Sequence, residues 1–408
     1  MSFTRRLRDL VRELKEASTF RVFSEVNRIA GEFPLMRSNG GSADLVNWAS
    51  NDYLAMGQHE TVFQATRDAL EEFGVGSGGS RNITGTSHLH CGLESELARL
   101  HGKEASLLFS SGYCANRGAL STLGKLFSGS VEFFSDKANH ASLVRGILAT
   151  GERKSVYNHN DPQHLVECLS RSTAEVKVVV FESLHSMDAD IADVETMLDI
   201  CEDFGAFSFV DEVHAVGAYG PKGAGIAAAQ AVSAKATVVM GTLGKAFGCF
   251  GGYIAGNRDT IDAIRSYSDD FIFTTALPPH VVAGCLASVQ HLSSSNEERE
   301  RLHQNASLLA SELQTANVPY LGKGTHIFPI VFGSAERCNE AQRRLRLEFG
   351  MEATAINPPS VEAGASRIRV AITSAHTESM IAEFVEAMKS VHQDLSPTSS
   401  ASVKNEKT

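Results

Sequence analysis

Among 408 residues there is little that would cross-link the chain, bind a metal through thiolates or enter a bilayer. The seven cysteines, at positions 91, 114, 168, 201, 249, 285 and 338, are odd in number and include no C-x-x-C pair. That pattern argues against disulfides and against a zinc site, and it fits a reducing cytoplasm. No metal is expected. No apolar run is long enough to span a bilayer, so no membrane partner is expected either. A basic surplus is also missing: 37 Lys and Arg stand against 48 Asp and Glu, a formal net charge of −11. Without that surplus, nucleic acid is a poor partner. The opening "MSFTRRLRDLVRELKEASTF" is basic and amphipathic but contains Asp9, Glu13 and Glu16. Transit peptides are poor in acids, so this stretch reads as a surface helix.

What is present is an ordinary globular composition, 43% hydrophobic and 21% charged. The length exceeds one core, which predicts a large and a smaller domain. Short apolar runs read as buried parallel strands: "EASLLFS" at 104–110, "VKVVVFE" at 176–182, "AFSFVDE" at 206–212 and "ATVVMG" at 236–241. Helical stretches such as 192–205 lie between them, so the class is α/β with a largely parallel sheet. A ligand should then sit beyond the carboxyl ends of the strands. A long charged helix at 296–314 opens a different pattern of shorter elements. The expected division is an N-terminal helical segment at 1–45, a large domain at 46–289, a small α+β domain at 290–395 and a disordered polar tail at 396–408.

Chemistry-bearing residues collect at the strand ends. "VVMGTLGKAFGCFGG" at 238–252 sets Lys245 among glycines and small apolar residues. It is not a phosphate-binding P-loop, because position 239 is Val and Ala246 follows the lysine where Ser or Thr is needed. Two readings remain: a stem-buried lysine whose head reaches solvent, or one that forms a Schiff base in a desolvated pocket. "FVDEVHAVGAYG" puts Asp211 at a strand end and His214 three residues on. The first suits a cation on a bound ring, the second a phenolic oxygen; alone, each has an ordinary reading as a turn cap or a satisfied histidine. "SDKANHASLVRG" offers His140 just before a helix, where its face suits a flat ligand. "SSGYCANRGAL" at 110–120 opens a helix with small residues, and helix N-termini favour phosphate.

Read in order, "NDYLAMGQH", "GSGGSRNITGT", "SGYCANRGAL", "NHASLVRGI", "DEVHAVGAYGPKGAGI", "GTLGKAFGCFGGYIAG" and "FIFTTALPP" resemble the α-oxoamine synthases over roughly residues 18–390. These are pyridoxal-phosphate enzymes that condense an amino acid with an acyl-CoA and release carbon dioxide. The resemblance implies the transferase fold of the aspartate-aminotransferase type (fold type I) and a homodimer with shared active sites. It makes Lys245 the cofactor-bearing lysine and general base, and Asp211 the partner of the pyridine nitrogen. His214 and Ser186 would contact the phenolic oxygen, and His140 would stack on the ring. Gly112, Tyr113 and Thr242 would hold the phosphate, joined by Thr274 and Thr275 of the other subunit.

The same resemblance assigns substrate contacts. Arg369 in "SRIRVAIT" would grip the amino-acid carboxylate, a task suited to a planar guanidinium. Arg21 in "STFRVF" matches the arginine with which some members bind a succinyl carboxylate, so glycine and succinyl-CoA are the expected substrates. Asn51, Asn82, Ile83, Ser135, Lys154 and Ser360 match the remaining positions, with Lys154 a CoA contact. Ser80 stands where the family has a threonine crowding the glycine α-carbon. Ser360 likewise replaces a threonine near the acyl carboxylate, within "NPPSV". These departures keep open another amino acid, such as alanine or serine, or another acyl-CoA. A silent subunit of the same fold is the third reading, and retention of Lys245, Asp211 and His214 together speaks against it.

Overall fold

The computed structural model describes residues 3–38 and 44–395; the tail expected to be disordered lies outside the described residues. Two compact units make up the chain: Asn51–Ser186 with Asp190–Leu302, and Met1–Ser50 with Met187–Ala189 and His303–Thr408.

The larger unit is built on a seven-stranded sheet. Its spatial order is Ala105–Phe109, Gly252–Gly256, Val238–Thr242, Phe207–Asp211, Val176–Glu182, Val131–Asp136 and Arg153–Tyr157. Gly252–Gly256 runs antiparallel to both neighbours and the other pairings are parallel, the fold type I arrangement. The four expected strands are all there. Three more were not apparent as apolar runs. Arg153–Tyr157 is an edge strand exposed along most of its length. Gly252–Gly256 is weak in side chains because a helix start presses on it: a Cβ on Gly252 would stand 2.5 Å from the Gly112 nitrogen. Leu107, Phe133, Val178, Val180, Phe209, Val238, Met240 and Ile254 form the buried core with Ala115, Ala119, Leu120 and Leu123 of the helix Gly112–Leu126. Each large side chain so buried contributes about 1.5–3 kcal/mol.

The smaller unit holds the antiparallel strands Ile327–Gly333, Ser366–Ala371 and Thr354–Ile356, with the helices Ala335–Phe349 and Glu378–Leu395. Its N-terminal part corrects an expectation. The helix Phe3–Glu16 is present, but the segment expected to be helical also carries the strands Val26–Arg28, Leu35–Ser38 and Asp44–Asn47. The last pairs in parallel with Met351–Glu352, which brings segments about 300 residues apart into one sheet. Among the described residues, no helix is long and apolar enough to cross a membrane.

Candidate active site

Three parallel strands end side by side with a polar residue each. Glu182 stands opposite Asp211 in register, and Asp211 opposite Met240 two residues before Thr242. The chain leaves its apolar core here, so these carboxylates and hydroxyls gather at one sheet edge, where α/β proteins place their ligands. The turn after Val238–Thr242 carries Lys245, whose carbonyl accepts the Gly248 N–H at 2.7 Å. Gly248 has φ +69°, and a Cβ there would stand 2.0 Å from the Gly57 nitrogen, so only glycine permits this turn.

Lys245 meets a histidine. Its Nζ lies 2.6 Å from His214 Nε2, and His214 Nδ1 lies 2.8 Å from the Tyr53 hydroxyl. The hydroxyl in turn donates to Asn51 Oδ1 at 3.0 Å. His214 thus spans the amine and the Tyr53 hydroxyl, one ring nitrogen to each. The arrangement is a relay that can take a proton from the amine or return it. Tyr53 lies 161 residues from His214 and was not singled out in the sequence, although it stands inside the quoted "NDYLAMGQH".

A second network fixes Asp211. Its Oδ2 accepts from Asn116 Nδ2 at 2.7 Å and its Oδ1 from the Val213 N–H at 2.9 Å. Asn116 also donates to the Ser142 hydroxyl at 3.0 Å, and that hydroxyl lies 2.7 Å from His140 Nδ1. His140 Nδ1 accepts the Ser142 N–H as well, which makes His140 the N-cap of the helix Ala141–Leu148. Burial lowers the His140 pKa; Asp211 opposes this and Lys245 adds to it. The imidazole is therefore neutral near pH 7, a flat uncharged face. Glu182, buried beside Asp211, accepts the His140 N–H at 2.5 Å. Burial first, and then the charge of Asp211, push the Glu182 pKa well above the usual carboxylate value. Asn116, Ser142 and Glu182 are additions to the residues read from sequence.

Of the remaining expected cofactor positions, Gly112, Tyr113 and Thr242 lie together. Gly112 and Tyr113 are the first residues of the helix Gly112–Leu126, capped by the Ser111 hydroxyl accepting from Cys114 N–H at 3.2 Å. Their amides belong to the turn that has no intrahelical acceptor. A Cβ on Gly112 would stand 3.6 Å from Thr242 Oγ1, so helix start and strand end share one corner. The Thr242 hydroxyl donates to the Gly251 carbonyl at 2.9 Å and accepts from the Gly244 N–H at 3.2 Å. Ser186 is half-buried in the loop that the Leu184–Ile191 bridge closes. Thr274 and Thr275 line a cavity with Arg81, His90 and Asp270, and Thr275 bridges to Ser80.

Expected substrate residues divide between the units. Ser80, Asn82 and Ile83 lie at one tight turn, pinned by Arg81 on Glu94 through two bonds of 2.8 and 2.9 Å; Ile83 is 75% exposed. Lys154 is exposed on the edge strand. Ser135 is buried, donating to the Asp136 carbonyl at 3.2 Å and accepting from Asn139 at 2.9 Å. In the smaller unit, Arg369 is buried in the strand Ser366–Ala371. Arg21 is exposed and shares a groove of about 460 Å³ with Pro358 and Pro359, next to the exposed Ser360. The structure thus joins Arg21 to the "NPPSV" stretch, 337 residues apart at Pro358.

The larger unit therefore offers an amine, a buried carboxylate, a neutral imidazole face and a helix N-terminus at one sheet edge. That set suits a flat cationic ring bearing an aldehyde and a phosphate. Residues 43–388 match the family of class I and II aminotransferases. The chain is 43% identical over 399 residues to 5-aminolevulinate synthase 2 of Cereibacter sphaeroides, covering 97% of this chain and 98% of that protein. It is 44% identical over 375 residues to 5-aminolevulinate synthase of Bradyrhizobium diazoefficiens, covering 91% of each. A solved serine palmitoyltransferase of S. paucimobilis with bound PLP and myriocin is similar at a TM-score of 0.88 and 28% identity, covering 97% of this chain and 99% of that one.

Proposed function

Because the chain belongs to the class I and II aminotransferase family, and within it to the pyridoxal-phosphate α-oxoamine synthases, we propose that it condenses glycine with succinyl-CoA to give 5-aminolevulinate, CoA and carbon dioxide. It is a pyridoxal-phosphate acyltransferase that joins an amino acid to an acyl-CoA. The observation that carries the choice of substrates is the near full-length identity to two 5-aminolevulinate synthases. Arg21 supports it, since a guanidinium is suited to the free carboxylate of a succinyl group.

The residues present fit the cofactor. Asp211, held by Asn116, would pair with the protonated pyridine nitrogen, and the first amides of Gly112–Leu126 would hold the phosphate with Thr242. Bound pyridoxal phosphate supplies an aldehyde for the amino group and an electron-withdrawing ring for the α-carbon. The chain supplies the proton traffic. Lys245 would remove the α-proton and later return one, with His214 beside it to take up and give back that proton. Arg369 would orient the amino-acid carboxylate. Ser186 and His214 would hold the phenolic oxygen, and the neutral His140 would cover the ring face. Asn51, Asn82, Ile83, Ser135, Lys154 and Ser360 complete the proposed substrate contacts. A cytoplasmic homodimer belongs to the same proposal, Thr274 and Thr275 serving the partner's phosphate.

A second reading follows from Ser80. With one methyl fewer than threonine, it leaves room beside the α-carbon for alanine or serine. A matrix of amino acids against acyl-CoAs, with products identified by mass, separates the two. Glycine with succinyl-CoA should give the highest kcat/KM. A strong preference for a larger amino acid or a long apolar acyl-CoA would overturn the first reading.

A further inference from the structure

Two imidazoles and a carboxylate of the larger unit come together outside the site described above, each at or on a different helix. His59 caps the helix Glu60–Phe73, its Nδ1 accepting the Thr61 N–H at 3.3 Å. Its ring lies 4.2 Å, centroid to centroid, from that of His291 in the helix Pro279–Ser294. His291 Nε2 is 3.0 Å from Oε1 of Glu298, in the first turn of the helix Glu297–Thr315. Glu298 is 4% exposed, and Ser295 donates to its second oxygen at 2.9 Å.

We propose that His59, His291 and Glu298 form a binding site for a divalent cation of the zinc type, with water completing the coordination. The ligand atoms already lie within 4.8 Å of one another. A tetrahedral ion with bonds of about 2.0–2.2 Å separates its ligands by roughly 3.4 Å, so modest side-chain rotation closes the site. Two nitrogens and one carboxylate oxygen are a zinc donor set that needs no cysteine, so the missing C-x-x-C pairs do not bear on it. Burial first, and then the facing His291, hold His59 below the ordinary histidine pKa, on the metal-binding side. Burial is the largest single effect and works against the charge on Glu298, but the hydrogen bonds from His291, the backbone and Ser295 together with the His291 charge outweigh it and leave the carboxyl below its usual value. A competing cation, the Arg301 guanidinium, lies 4.0 Å from Glu298 Oε1.

The other histidine–carboxylate cluster is less suited to a metal. His159 is bound at Nδ1 to Asp136 at 2.8 Å and at Nε2 to Asp190 at 2.9 Å, so an ion would have to displace a proton held between two carboxylates. The proposed site also bears on the catalytic turn. Gly57, two residues before His59, packs under Gly248, and Ser288, one turn before His291, donates to the Phe247 carbonyl at 2.8 Å. An ion on His59 and His291 would tie together the two supports of the turn that carries Lys245.

Chelator-treated holoenzyme is titrated with zinc against a chromophoric chelator, and its melting temperature is read with and without zinc. The expected result is one site per chain and a zinc-dependent rise in melting temperature. His59→Gln and His291→Gln should each weaken zinc at least tenfold and remove the rise, while Cys91→Ser and Asp190→Asn leave both unchanged. Reading the zinc-dependent difference within each variant keeps a weakened helix cap from imitating the effect. No binding in the micromolar range would overturn the proposal. So would binding indifferent to both histidine variants, or binding lost in Asp190→Asn.

Discussion

Replacing Asn116 by Leu tests whether the Asp211 network holds the cofactor. Asn116 and Asp211 are each 1% exposed, and the Nδ2–Oδ2 distance is 2.7 Å. Leucine nearly preserves the volume, so the main loss is one hydrogen bond to a charged group, worth about 1.5–3 kcal/mol. If that bond sets Asp211 against the pyridine nitrogen, affinity for pyridoxal phosphate should fall about ten- to a hundredfold. Titrating apoenzyme with the cofactor and following its visible absorbance reads this directly. Ser142→Ala is the internal comparison. It removes a neutral bond to the same Asn116 nitrogen at 3.0 Å, worth about 0.5–1.5 kcal/mol, so its effect should be smaller. A melting curve of each apoenzyme separates loss of fold from loss of affinity. If Asn116→Leu binds the cofactor within twofold of wild type, the Asp211–Asn116 pair has no part in holding it.

Three further outcomes are expected. Arg21→Leu should raise KM for succinyl-CoA about ten- to a hundredfold and affect butyryl-CoA much less; equal losses would remove Arg21 from acyl recognition. Wild type should use L-alanine or L-serine detectably beside glycine, and Ser80→Thr should suppress that several-fold, a methyl group being worth about 1 kcal/mol; an unchanged ratio in the variant would clear Ser80 of the role. Against burial, Asp136 and Asp190 raise the His159 pKa to about 10, so its stabilisation is complete below the unfolded value near 6.5 and is lost as pH rises through about 10. His159→Gln should therefore lower the melting temperature most near pH 6, with the gap closing toward pH 10; a gap that widens with pH would contradict the ion-pair assignment.

The sequence made the sheet's interior legible because strands buried on both faces are continuous apolar runs, as at 176–182 and 206–211. It also located Lys245, Asp211 and His214 at strand ends, where such a run stops at a polar residue. What it did not disclose depends on distant pairing. Asn116 reaches Asp211 across 95 residues, and Glu182 faces Asp211 only through strand register. Arg153–Tyr157 is exposed along most of its length as an edge, and Gly252–Gly256 begins and ends in glycines because Gly112 packs on the first and the Thr237 carbonyl on the last, so neither reads as a long apolar run. The pairing of Asp44–Asn47 with Met351–Glu352 joins segments about 300 residues apart, with two matched positions to mark it.

Borohydride reduction of the holoenzyme followed by peptide mapping tests the central claim, that Lys245 carries the cofactor beside His214. The account predicts a single pyridoxyl-labelled peptide containing Lys245, and no label on that peptide's counterpart in Lys245→Ala. A label on any other lysine of the wild-type chain would contradict it.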